Sequence, residues 1–434
     1  MTMDRVMTYV VTDEGTIREV NPPTISSEES TKTTNTGDGG IVGILVIDST
    51  VAHSSGGGLR MGEDVNFEEL RLLAKNMTLK YGFLGIPLGG AKAGILMNPE
   101  CHLQERRERL SLFGRGLSAL IKNRTYIPGP DIGTDTEDIR WVLNEAGVKR
   151  QRRMLTPGKS QYYTAIGVCE STRRGASAIG INLKGARVAI EGFGKVGSAL
   201  AQLYDAHGAL IIAVSTSRGA LCNGNGLDVP RLIELFHRRG SAVTLDFPDG
   251  ERIKNEQLLT LDMDILSPCA RYHTITGKNA HEIKAKLISA GANVPVEQSA
   301  MDILRNKDVL VLPDFITNCG GVLGTFLELS GLSMEEVSSW IQKLLGPSVE
   351  RILLDSFRKN VLPTLYATEI ALKRFNDVKR SVEEKRMHGF AIHPSVVRFL
   401  RTILPSWFFS RFGVAYFKRS FDLAFAPFDD RTYT

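Results

Sequence analysis

Cysteine is scarce in this chain of 434 residues: five, at positions 101, 169, 222, 269 and 319, each standing alone. That scatter excludes a compact disulfide framework and the paired spacings of zinc sites, and it reads as reduced, mostly structural thiols. Histidine is sparse too, with eight residues, no HExxH, and no cysteine beside the nearest pair, His388 and His393. A protein-bound metal is not expected. No uncharged apolar run approaches the ~20 residues that cross a bilayer as a helix, so no integral membrane segment is expected. The first thirty residues carry charged and polar side chains throughout. They lack the apolar centre of a secretory signal, which makes cytoplasmic residence the default.

A strong excess of one charge is also missing. The 53 basic and 48 acidic residues leave +5, and twelve Lys and Arg against six Asp and Glu from Lys373 onward put +6 in the tail and −1 in the remainder. A neutral body argues against nucleic acid as a partner. What is present is an ordinary globular balance, 42% hydrophobic and 23% charged. At about 150 residues per domain, the length suits two to three domains.

Residues 24–40, TISSEESTKTTNTGDGG, are polar and small, too poor in apolar surface to offset the entropy of ordering. A flexible segment is therefore expected over 1–40, with order beginning at the strand-like IVGILVID. The spacing of Phe67, Leu70, Ala74, Met77 and Tyr81 predicts a helix, with Leu73 and Lys80 bordering its apolar stripe and Glu68, Arg71 and Lys75 facing away. Between about 186 and 324, RVAIEGFG, ALIIAVSTS, DMDILSPC, KLISAGAN and DVLVLPD read as buried strands alternating with helices, the pattern of a parallel sheet. Beyond Glu328 the chain turns helical, with Pro347 and Pro363 as expected breaks.

Gly192, Gly194 and Gly197 stand between a strand and a helix, with a second strand following. In that context GFGKVG is a dinucleotide fingerprint: the first glycine for the turn, the second for approach of the pyrophosphate, the third for helix-strand packing. Phe193, Lys195 and Val196 fall within it, at a helix start suited to phosphate. Where an acidic residue would meet a bare ribose, the sequence has Ser215, Thr216, Ser217 and Arg218. Hydroxyls and an arginine suit a 2′-phosphate, so NADP is preferred and NAD remains possible; Arg218 as a solvated loop residue is the bland alternative.

Two lysines and an aspartate stand out upstream. Lys80 borders an apolar stripe, where a lysine either snorkels to water or serves a site. Lys92 lies in PLGGAKAGI, where small residues strip the bulk from around one ammonium group; an ordinary glycine turn is the other reading. Two partly buried cations near one another depress each other's pKa and make a usable base. Asp131, in IPGPDIGT, is either a third member of this group or a turn cap.

GGLRM at 57–61, MTLK at 77–80, PLGGAKAGI, GPDIGT, TAIGV at 164–168, GFGKVG, SPCA at 267–270, GANVP at 291–295 and LPDFITNCGGV at 312–322 follow one another. In these motifs and their order the chain resembles the glutamate, leucine, phenylalanine and valine dehydrogenase family over roughly residues 41–330. The resemblance implies an α/β protein with a doubly wound Rossmann cofactor domain and an α/β substrate domain completed by C-terminal helices. Its expected limits are 41–165 for substrate and oligomerisation, 166–328 for NAD(P), 329–387 for helices returning to the substrate domain, and 388–434 for an aromatic, basic tail.

It implies reversible oxidative deamination of an amino acid to a 2-oxo acid and ammonia in a cleft between the domains of a homo-oligomer. Lys80 would hold the substrate α-carboxylate, Lys92 would activate water, and Asp131 would exchange protons at nitrogen. Thr164, Asn293 and Asn318 would lie by the nicotinamide. Glutamate-specific relatives resemble one another in a lysine just before GGLR; here that residue is Gly56, which points to another side chain. Thr325 falls where those enzymes use a serine. The loop before TAIGV is shortened to LTPGKSQYY. A non-catalytic NADP-binding member of the same fold is the rival reading, and the tail reads either as a packed arm or as a membrane-surface segment.

Overall fold

A computed structural model describes residues 6–20, 40–148, 159–329 and 332–387. The sequence expectations for 24–39, for most of the shortened loop and for the tail from 388 lie outside these residues. Two compact units form, one from the described residues up to 148 with 371–387, the other from 159–370. No helix among the described residues is long and apolar enough to cross a membrane.

The first unit is built on β1 (Met7–Thr12), β2 (Ile17–Val20), β3 (Ile41–Ile47) and β4 (Ser55–Gly62), followed by α1 (Phe67–Leu84), β5 (Gly89–Leu96), α2 (Leu103–Gly116), α3 (Ser118–Lys122), β6 (Ile127–Pro130) and α4 (Thr136–Glu145). The strands make one sheet in the order β2-β1-β3-β5-β4-β6. Order thus starts before residue 41, correcting the expected flexible 1–40. MTYVVT has the β-branched content of a strand, pairs antiparallel with β3, and buries Thr8 and Val11.

Period-two alternation gives this sheet two unlike faces. Leu45, Ile47, Leu59, Met61, Ala91, Ala93 and Ile95 point to one side, where Leu110 and Phe113 of α2 and Ile139 and Val142 of α4 complete a core. On the other side Ile44 and Val46 pack with Phe67, Leu70 and Ala74 of α1. Asn66 starts α1 by accepting the Glu69 N–H at 3.0 Å, and Gly85 ends it at φ 66°. The expected stripe holds except at Met77, which is half-buried.

The second unit runs α5 (Ser160–Ala178), β7 (Arg187–Glu191), α6 (Lys195–Ala206), β8 (Leu210–Thr216), β9 (Gly219–Cys222), α7 (Val229–Arg239), α8 (Val243–Asp246), β10 (Glu251–Ile253), α9 (Asn255–Leu259), β11 (Ile265–Pro268), β12 (Leu287–Ile288), α10 (Gln298–Asn306), β13 (Leu310–Val311), α11 (Asp314–Thr317), α12 (Gly320–Leu329) and α13 (Met334–Arg358). Its sheet order is β10-β9-β8-β7-β11-β12-β13. The five expected strands form the parallel part, while β9 and β10 add an antiparallel edge that the periodicity did not reveal.

Residues 329–370 belong with this second unit rather than returning to the first. Helix α13 packs on α5, where Arg174 bridges Glu350 and Gly346 makes room for Glu170. Only the later part of α14 (Pro363–Met387) joins the first unit, where Ala371 lies over Gly82 and Arg374 donates to the Phe83 carbonyl at 2.5 Å. Pro363 opens a helix as expected. Pro347, expected to break one, lies inside α13, whose packing outweighs the missing hydrogen bond.

Candidate active site

On the face of the first sheet that looks at α1, β3 presents Ile44 and Val46 to the helix, but β4 and β5 present mostly glycine. Along β4 this face carries Gly56, Gly58 and Arg60; along β5 it carries Gly90, Lys92 and Gly94. A Cβ on Gly90 would stand 2.3 Å from the Ala74 carbonyl oxygen and from the Thr78 nitrogen. Glycine there lets α1 lie directly on the strand. The two are then pinned together: the Gly90 N–H donates to Ser49 Oγ at 3.0 Å, Ser49 to Thr78 Oγ1 at 2.7 Å, and Thr78 to Asp48 Oδ2 at 2.5 Å. Lys80 follows Thr78 by two residues and Lys92 follows Gly90 by two, so this relay fixes the strand and helix that bear both lysines.

Lys92 is 3% exposed and Lys80 5%. In the register set by Gly56–Gly90 and Leu59–Ala93, Gly58 lies level with Lys92. Beyond Gly58, β6 delivers Asp131, and the Lys92 ammonium forms an ion pair with Asp131 Oδ2. The other carboxylate oxygen accepts the Ile132 N–H at 2.7 Å, and Thr134 clamps the turn by donating to the Leu59 carbonyl at 2.6 Å. Burial first, then the positive charges of Lys80 and Arg60, push the Lys92 ammonium down to about 7; the Asp131 carboxylate pulls the other way. The two lysines and the aspartate named from the sequence are therefore brought together within one unit.

Arg60 and Glu69, an ion pair with side chains 4% and 0% exposed, had no role assigned from the sequence. A signal was available. Glu69, Leu73, Asn76 and Lys80 recur at i, i+4, i+7 and i+11, and all four are buried, so the stripe bearing Lys80 also bears a carboxylate. At Gly56 a Cβ would meet Tyr81 Oη at 2.9 Å and, at 3.7 Å, Leu88 Cδ1. Burial raises the Tyr81 phenol, which stays protonated.

In the second unit the three fingerprint glycines behave differently from one another. Gly192 turns at φ 97°, a Cβ on Gly197 would stand 2.0 Å from the Gly192 carbonyl oxygen, and a Cβ on Gly194 would meet nothing within 4 Å. The one open position is the cap of α6, with exposed Lys195 next to it. That is the geometry that admits a pyrophosphate to backbone N–H groups and a helix N-terminus, and a nicotinamide dinucleotide fits it. Val196 lies near the GANVP loop, since a Cβ on Gly291 would come within 2.9 Å of it.

Three of the residues expected at the cofactor, Phe193, Ser215 and Thr216, are buried and bonded within the unit. Phe193 is buried edge-on against Phe236, with ring centroids 5.4 Å apart, and its N–H donates to the Ser215 carbonyl. Ser215 Oγ accepts the Gly192 N–H at 3.0 Å, and Thr216 donates to the Ser241 carbonyl at 2.7 Å. Phe193 and Ser215 thus brace the glycine turn and Thr216 braces the end of β8, while Ser217 and Arg218 are the exposed residues after β8.

Asn318, 3% exposed, donates through Nδ2 to the Ala292 carbonyl at 2.8 Å and to Asn293 Oδ1 at 3.1 Å. Its Oδ1 has no hydrogen-bond partner among the described residues. Thr164 packs at Gly321, where a Cβ would stand 2.4 Å from its hydroxyl. Thr325 is exposed on α12 and donates to the Gly321 carbonyl at 2.8 Å.

A doubly wound unit with an open glycine turn, and a separate unit that buries two amines beside a carboxylate, define a dinucleotide-dependent oxidoreductase. Residues 28–147 match the family profile described as Glu/Leu/Phe/Val dehydrogenase, dimerisation domain, and residues 159–381 match the one described as Glutamate/Leucine/Phenylalanine/Valine dehydrogenase. The chain belongs to the Glu/Leu/Phe/Val dehydrogenase family. It is 33% identical to a catabolic NAD-specific glutamate dehydrogenase of Bacillus subtilis over 77% of this chain and 81% of that protein. It is 35% identical to an NADP-specific glutamate dehydrogenase of Saccharolobus shibatae over 63% of this chain and 67% of that one. A hetero-hexameric glutamate dehydrogenase of Thermus thermophilus, solved in a leucine-bound form, superposes with a TM-score of 0.69 at 26% identity, covering 87% of this chain and 89% of that chain.

Proposed function

We propose that this protein deaminates an L-amino acid with an uncharged side chain, using NADP in preference to NAD, as an assembly of like copies. As a member of its family it is an NAD(P)-dependent amino-acid dehydrogenase that interconverts an amino acid with a 2-oxo acid and ammonia. The observation that carries the choice of substrate is Gly56. It brings no cation, and the space beside it is taken by the Tyr81 hydroxyl and the Leu88 side chain. Burying a substrate carboxylate against such neighbours is costly. The cofactor preference rests on β8 ending in Thr216, followed by exposed Ser217 and Arg218 where a ribose-binding carboxylate would stand.

A dinucleotide held by its pyrophosphate at the open glycine turn would supply, through its nicotinamide, the hydride acceptor. Lys80, an amine on the buried stripe of α1, attracts the substrate α-carboxylate. Lys92, with its ammonium pushed to about 7, is partly neutral at physiological pH and takes the proton of the water that attacks the imine carbon. Asp131, anchored by the Ile132 N–H, exchanges protons with Lys92 and the substrate nitrogen. The five thiols are free, which suits the reducing cytoplasm in which we place the reaction.

The test is a panel of amino acids assayed by NADPH absorbance, with gel filtration for the assembly. Turnover of leucine-like or aromatic amino acids above glutamate supports the reading; glutamate as the best substrate, or a large preference for NAD, removes the corresponding part of it.

A further inference from the structure

We infer that Glu191 binds the dinucleotide as a neutral carboxylic acid, so that loss of its proton weakens cofactor binding. The inference rests on the second unit being a dinucleotide cradle.

From β7 the chain passes through the glycine turn and α6 to β8 on one side, and only later reaches β11 on the other. Strand order therefore reverses between β7 and β11. Open α/β sheets take their ligands in the crevice beyond the carboxyl ends of the strands at that reversal. Glu191 is the last residue of β7, paired with Pro268 in the final rung between these two strands. Its carbonyl accepts the Cys269 N–H at 2.6 Å, and its carboxyl accepts the Ala270 N–H at 3.3 Å. Gly192, the turn glycine, comes next. A carboxyl group is thus fixed at the mouth of the crevice, one residue before the loop that faces the pyrophosphate.

The groups around it only partly offset its burial. Burial is the largest influence and raises it, against the Ala270 and Cys269 N–H groups, the Thr274 hydroxyl and the charge of Arg271, leaving it at about 7. The neighbouring Cys269 thiol is pushed up to about 12 and stays protonated. Across the turn stand Lys195, exposed at the start of α6, and the neutral hydroxyl of Ser215. A pyrophosphate brought to this place adds negative charge, which disfavours a second anion beside it. The protonated acid instead offers an O–H to a ligand oxygen. The proton comes from solvent, so above neutrality binding takes up one proton, and affinity falls by up to about tenfold per pH unit.

The experiment measures the dissociation constants of NADPH and NADH by nicotinamide fluorescence between about pH 6 and 8.5, for the full-length wild type and Glu191→Gln. The wild type should hold a constant affinity at the acid end and lose about tenfold for each pH unit above about 7. Glu191→Gln, a permanent neutral donor of the same shape, should bind at the wild type's acid-end affinity throughout. Calorimetry of the wild type in two buffers of different ionisation enthalpy should show proton uptake at pH 8. Affinity independent of pH in the wild type, a Gln variant with the wild-type slope, or a folded Gln variant that does not bind overturns the inference. A wild type that binds neither dinucleotide at any pH removes the cradle reading as well. Lys92 titrates in the same range in both proteins, so the difference between them isolates Glu191.

Discussion

Gly58 and Asp131 compete for one space: a Cβ on Gly58 would stand 2.7 Å from Asp131 Oδ2 and 2.8 Å from its Cβ. The Lys92–Asp131 pair therefore depends on a residue with no side chain of its own. Gly58→Ala should displace the carboxylate and lower kcat by about 100-fold, the scale of a 1 Å misplacement. NADPH binding should be preserved and the melting temperature should change by only a few degrees. An Ala variant with normal kcat would falsify this geometry.

The acid limb of the pH profile should report Lys92. Its ammonium is lowered from the ordinary lysine range to about 7, chiefly by burial. For deamination, kcat/KM should fall about tenfold per pH unit below about pH 7, because the base is then protonated. The same depression acts on stability with the opposite sign from a salt bridge. Between pH 7 and the ordinary lysine pKa the unfolded chain binds more protons, so this contribution rises with pH, and the penalty is complete below about 7. Lys92→Ala should abolish turnover while sparing NADPH binding. A wild type that is inactive on every amino acid and 2-oxo acid would instead favour the non-catalytic reading.

Arg60 lowers Lys92 from a distance and is tied to Glu69. Arg60→Met alone should cost about 3–5 kcal/mol, because it strands a buried carboxylate. Arg60→Met with Glu69→Leu should recover most of that in a thermal melt. Both variants should move the acid limb of kcat/KM to higher pH. A limb that stays in place would show that Arg60 does not act on Lys92.

Substrate choice should turn on positions 56 and 81. Gly56→Lys alone meets the Tyr81 hydroxyl and should impair every substrate. Combined with Tyr81→Phe, the lysine gains room, and glutamate turnover should rise at least about tenfold relative to neutral amino acids, the scale of one charge-assisted hydrogen bond. Unchanged ratios would place the substrate side chain elsewhere.

On the cofactor side, Arg218→Ala should weaken NADPH binding by about 1.5–3 kcal/mol and leave NADH binding unaltered. Ser215→Ala, which loosens the Gly192 turn, should weaken both equally.

Much of this was legible in the residues themselves. The glycine spacing of GFGKVG announced a turn, an open approach and a packing contact, and Gly192, Gly194 and Gly197 divide those roles. Lys80, Lys92 and Asp131 were recognisable as amines and a carboxylate in unusual settings. Glu69 escaped because one charged residue on a helix is ordinarily solvated, and only its alignment with Lys80 betrays burial. Ser215 and Thr216 were assigned to the ligand because hydroxyls suit phosphate; whether a hydroxyl points outward or is used internally is a matter of three-dimensional packing. Strands β1 and β2 were hidden by their nearness to a polar stretch, and Pro347 by a rule that considers the helix without the neighbours that hold it.

The glycines beneath α1 carry one more implication. Gly58 and Gly90 bring bare main chain against Asp131 and α1 at the base of the proposed site, and peptide groups offer little to alter without moving the strands. New substrate preferences in this protein must therefore be sought in the walls, at residues such as Tyr81 and Leu88. A mutagenesis library aimed at the base would mostly return misfolded or inactive clones.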